Sequence, residues 1–68
     1  MADLAAQIAC VKRELALRER AYPKWVAAGR MKQEAADREM AAMKAVLATL
    51  IALGLLGRAA REELDRAG

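Results

Sequence analysis

No histidine, serine, asparagine or phenylalanine occurs in these 68 residues, and cysteine, proline and threonine appear once each. Each absence excludes something. Covalent catalysis needs a nucleophile beside a positioned base, yet the only hydroxyl side chains are Thr49, inside an apolar run, and Tyr22. No enzyme is expected from that inventory. Without imidazole a zinc site loses its usual nitrogen ligand, and Glu34 with Asp37, or Glu62 with Glu63, read as helical surface charge, so no metal or other cofactor is expected. The lone Cys10 cannot close an internal disulfide and suits a reducing, cytoplasmic compartment, where it serves as a small packing residue. Gly54-Leu-Leu-Gly57 lacks the spacing of a phosphate loop. A basic stretch is missing from Met1-Ala2-Asp3-Leu4, against a signal peptide. The uncharged run from Ala45 to Gly57 is 13 residues, whereas a membrane span needs roughly 20, so no membrane partner is expected. Aromatics are 3% and β-branched residues sparse, which excludes a sheet.

Alanine and leucine fill the space that remains. Hydrophobic residues make up 57% of the chain, but 18 of them are alanine, which favours helix and buries little area per residue. Large residues fall at Leu4, Ile8, Val11, Leu15, Tyr22 and Trp25, with Arg18 in the one skipped slot, and the same seam recurs at Ala36, Met40, Met43, Leu47 and Leu50. Spacings that alternate four and three mark a helix seam packing on another helix. Two such arms joined by a short connection predict an all-α antiparallel helical hairpin, with Met43 opposite Leu15, Leu47 opposite Val11 and Leu50 opposite Ile8.

The boundaries follow from Asp3 as an N-cap, Pro23 as the point where the first helix stops or bends, and Gly29 as a left-handed terminator. They place one helix over 3–22, a corner over 23–31 containing a short turn of helix, a second helix over 32–57 and a terminal helical segment over 58–67. Gly54 and Gly57 either permit close helix approach or break the helix before a short terminal segment, and a break or kink is the preferred expectation. Val46, Leu47, Leu50, Ile51 and Leu53 lie on more than one face of the second helix, and a helix apolar on several sides has to be covered on several sides. These five residues are therefore the expected core of a homodimer, a four-helix arrangement centred on Ala45 to Leu56.

Charge is polarised. From Lys12 to Lys32 seven bases face two acids, a net +5, while the remainder of the chain is −2. That favours an anionic partner near the corner, an acidic protein surface or a nucleotide or nucleic acid. Arg20, Tyr22, Lys24, Trp25 and Arg30 are the candidate binding residues, since amphipathic rings beside cations are enriched in binding hot spots. The competing expectation is that both rings only plug the open end of the hairpin. Helix-turn-helix reading of DNA is excluded, because the second arm is too apolar to serve as a recognition helix.

From about Ile8 to Leu50 the sequence resembles small uncharacterised helical proteins of bacteriophages and prophages of Proteobacteria. The core Tyr22-Pro-Lys-Trp-Val-Ala-Ala-Gly-Arg-Met31 carries the resemblance. Those proteins tend to have Ser or Thr where Lys32 stands, a cap for the second helix that is lost here. The resemblance implies a class of role: small phage proteins of this kind bind and inhibit host factors, as anti-activators or anti-defence proteins. A binder of nucleotide or nucleic acid is the alternative.

Overall fold

The computed structural model describes residues 3–67, with side chains through Arg66. Among the described residues there are two helices and no strand: α1, Leu4–Ala27, and α2, Gln33–Ala67. The start of α1 is capped by Asp3, whose Oδ1 accepts from the Ala6 N–H at 2.8 Å; an uncapped end would leave that donor to water.

Pro23 does not end α1. The helix runs through it for another turn to Ala27, so the first helix exceeds the expected 3–22. Proline forfeits one backbone bond, to the Glu19 carbonyl, but its fixed φ is helical. Half-burial of Val26 on the next turn gives the continued helix something to bury. The helix ends at Gly29, whose φ of 74° places it in the left-handed region. There the Gly29 N–H donates to the Val26 carbonyl (3.1 Å) and the Arg30 N–H to the Trp25 carbonyl (2.8 Å), the bond pair that closes a glycine-terminated helix.

α2 begins without a side-chain cap, as Lys32 requires. The Lys32 carbonyl accepts from the Ala36 N–H at 3.1 Å, Gln33 Nε2 donates to Asp37 Oδ1 at 2.8 Å, and Glu34 sets a negative charge in the first turn. The expected break at Gly54 or Gly57 is absent: α2 is one helix of 35 residues. Each glycine costs about 1 kcal/mol relative to alanine, and leucine and alanine on both sides keep the helix intact.

Two cross-helix contacts fix the pairing. Arg18 Nη1 meets Glu39 Oε2 at 3.6 Å, and the space above Gly54 is closed by Leu4, whose Cδ2 would lie 3.3 Å from an added Cβ. The helices therefore run antiparallel, with residue numbers across the seam adding to 57 or 58. Met43 then lies level with Leu15, Leu47 with Val11 and Leu50 with Ile8. Along that seam only Leu15, Tyr22 and Ala36 are buried; Leu4, Ile8, Val11, Met40, Met43, Leu47 and Leu50 are half-buried. At 1.5 Å per residue α2 is about 52 Å long and α1 about 36 Å. The last turns of α2, from Arg58 onward, project past the start of α1 and make the molecule a rod 59 Å in longest extent.

Candidate functional site

Because α1 is continuous, helical periodicity decides which corner residues share a face. Tyr22 points into the seam and is 9% exposed. Its ring packs against Trp25, centroids 5.6 Å apart and tilted by 39°, while the Arg18 guanidinium lies 5.9 Å from the Tyr22 centroid. Trp25 sits at the edge of this arrangement and is 44% exposed. Arg20 and Lys24 are exposed but elsewhere: at 100° per residue, Arg20 lies roughly 140° around the helix from Trp25. The sequence placed all five candidates on one patch because it treated Pro23 as a corner. An unbroken helix puts Tyr22 inside, leaves Trp25 on one edge and turns Arg20 and Lys24 to the outer face. Arg30 is exposed in the connection.

The outer face carries a pattern that contains no aromatic residue. Arg13, Leu17, Arg20 and Lys24 recur at intervals of four, three and four, one stripe along the side of α1 facing away from α2. All four are exposed, Leu17 at 55%. Neither Arg13, Arg20, Lys24 nor Arg30 is in an ion pair among the described residues, in contrast to Arg18. Arg18 is held by Glu14 (Nε to Oε1, 2.9 Å) and by Glu39, and its hydrogen bond to Glu14 raises its pKa above the ordinary arginine value. It is a structural cation that clamps the two helices, whereas the outer three are free to meet a partner.

A groove of about 210 Å³ opens at the corner end between the helices, lined by residues including Arg18, Glu19, Tyr22, Gln33, Asp37 and Met40. Three of its polar side chains are already engaged, Arg18 with Glu14 outside the groove and Gln33 with Asp37. No cluster of metal-ligating side chains occurs among the described residues, and Cys10 is exposed with a free thiol.

The residues expected at a dimer centre also divide. Leu47 and Leu50 are half-buried on the side facing α1, whereas Val46, Ile51 and Leu53 are exposed. Leu55, Leu56 and Leu64 are exposed beyond them. α2 is also long and apolar enough to cross a membrane by those two measures alone, with a mean hydropathy of 2.0 over 18 residues. The 13-residue count made from sequence depended on leaving Lys44 out of the run.

No family model, no curated protein and no solved structure matches the chain.

Proposed function

We propose that this chain is a non-enzymatic binding protein that docks on an acidic protein surface through the outer face of α1. Its resemblance to phage and prophage proteins makes that partner a host factor, inhibited or sequestered in the host cytoplasm. The observation that carries this reading is the stripe of Arg13, Leu17, Arg20 and Lys24, exposed, without ion pairs, and with one large apolar residue at its middle. A fold held together by α1 and α2 alone has no need of three cations there. Cations around an apolar anchor steer an acidic partner and give it a dry contact once docked. The same reading takes the chain to act as a homodimer, which leaves the outer face of α1 open. Arg30 and Trp25, adjacent at the end of α1, extend the surface toward the corner.

The alternative, a nucleotide or nucleic-acid binder, needs a stacking ring beside its cations. Helical periodicity sets Arg20 well away from Trp25, and the cation beside the Tyr22–Trp25 ring pair, Arg18, is already held by Glu14 and Glu39, so it is the weaker reading. Both are tested with the wild-type protein and the variant Arg13→Glu/Arg20→Glu/Lys24→Glu as baits in host extract. A host protein captured by the wild type and lost with the variant, at unchanged helicity, supports the proposal. Equal capture by both baits removes the outer face of α1 from the binding surface. A nucleic acid or nucleotide released from the wild-type bait with no protein partner favours the alternative.

A further inference from the structure

We propose that a second copy of this chain covers the flank of α2 formed by Ala42, Val46, Thr49, Leu53, Leu56 and Ala60, packed antiparallel with the two-fold axis passing between Thr49 and Leu53, level with residue 51. This rests on the homodimer named above and adds to it the face and the orientation. The six residues are spaced four, three, four, three and four, the repeat of a helix seam, and lie roughly 100° around α2 from the residues that face α1. Val46, Leu53 and Leu56 are 45%, 57% and 68% exposed. On the opposite flank the same spacing picks out Lys44, Ala48, Ile51, Leu55, Arg58 and Glu62, charged at three of six positions. Only the first flank can be dry from end to end.

Thr49, the one polar member of that flank, is already provided for. Its hydroxyl donates to the Ala45 carbonyl at 3.0 Å, so covering it orphans no hydrogen-bonding group.

The occupant follows from area, symmetry and charge. The chain exposes 5534 Å², whereas a compact monomer of 7.4 kDa exposes about 4,200 Å². The excess is larger than the roughly 800 Å² per partner that a specific interface buries. Antiparallel pairing about the level of residue 51 matches the seam to itself, Ala42 to Ala60, Val46 to Leu56 and Thr49 to Leu53, with small residues meeting at both ends. A parallel pair would set two +5 segments side by side. Antiparallel docking instead brings the tail from Arg58 to Ala67, three bases and three acids, beside the basic segment of the second copy and holds the two basic corners apart by several Debye lengths. A lipid occupant fits less well. In the hairpin register, α1 carries Asp3, Lys12 and Arg13 level with the apolar stretch of α2, so a bilayer would have to accept those charges or open the hairpin.

The test uses full-length chains carrying Cys10→Ala. Val46→Cys and Leu56→Cys variants are mixed, cross-linked with a short bis-maleimide and resolved by mass, while sedimentation of the wild type reports its mass. The expected result is a dimer whose mixed 46–56 product rises well above its statistical share and falls about ten-fold or more when Leu53→Glu is added to both chains. Products joining 46 to 46 and 56 to 56 in excess would overturn the orientation. A dimer with no cross-link would overturn the face while leaving the homodimer standing, and a monomer at all micromolar concentrations would overturn both. Sedimentation with vesicles of phosphatidylglycerol and phosphatidylcholine, with no dimer in buffer, would hand the flank to lipid.

Discussion

Replacing Tyr22 with alanine removes the one large aromatic that the hairpin encloses. The ring is 9% exposed and is covered by Trp25 and Arg18. Truncating a buried aromatic costs about 3–5 kcal/mol, and loss of the pair with Trp25 is part of that sum. A folded domain of this length holds roughly 3–10 kcal/mol in total, and a hairpin that buries Leu15, Tyr22 and Ala36 and half-buries the rest of its seam lies toward the low end. Tyr22→Ala should therefore leave the chain largely unfolded at room temperature, or lower its melting point by roughly 15 °C or more. Trp25→Ala should cost less, about 1–2 kcal/mol, because nearly half of that side chain already meets water. Tyr22→Phe keeps the ring and should stay within about 1 kcal/mol of wild type. Urea unfolding followed by far-ultraviolet circular dichroism, at one protein concentration for all variants, reads these differences. If Tyr22→Ala melts with the wild type, or Trp25→Ala is the more damaging of the two, the assignment of inside and edge at this end of the hairpin is wrong.

Pro23→Ala should stabilise α1 by about 1–3 kcal/mol, because it restores a backbone donor inside a continuous helix; an unchanged or lower urea midpoint would mean that the proline is needed where it stands. Gly29→Ala should destabilise by about 1 kcal/mol, since a φ of 74° is strained for alanine, and Gly29→Asn should recover part of that in the same unfolding experiment. Asp3→Ala should cost about 1 kcal/mol through the lost cap on the Ala6 N–H, with the fraying of α1 visible as faster amide exchange in its first turn. Leu17→Ala should leave the melting temperature nearly unchanged, because the side chain is 55% exposed, yet weaken capture of the host partner; a fall in stability without a fall in capture would place Leu17 in the fold instead.

Much of the architecture could be read from residue spacing. The recurrence of Leu4, Ile8, Val11, Leu15 and Tyr22 picks out residues that the structure buries or half-buries on one side of α1, because a helix packing on one neighbour repeats its contacts every three and a half residues. Gly29 was legible as a terminator because few residues other than glycine take its conformation. Local signals misled where packing outweighed them. Pro23 reads as a stop or bend, but its fixed φ is helical, and the face that the helix extends to Val26 offsets the hydrogen bond it loses. Gly54 and Gly57 read as a break, but strong helix formers on both sides carry α2 through them. Those boundary errors propagated to the candidate site. With a corner at Pro23, Arg20, Tyr22, Lys24 and Trp25 form one patch; with a continuous helix, they point in three directions. The stripe through Arg13 and Leu17 is legible from its spacing alone, but it holds no aromatic residue to mark it as a binding surface.

The most direct measurement is the affinity of the proposed acidic partner, once captured, for the wild-type chain and for Arg13→Glu/Arg20→Glu/Lys24→Glu, titrated at low and high salt with circular dichroism as the control for folding. Reversing three solvated charges at the edge of an interface should cost roughly 2–3 kcal/mol together, about a hundred-fold in affinity, and the wild-type affinity should fall as salt rises. Equal affinities for the two folded proteins, insensitive to salt, would contradict the assignment of the outer face of α1 as the binding surface.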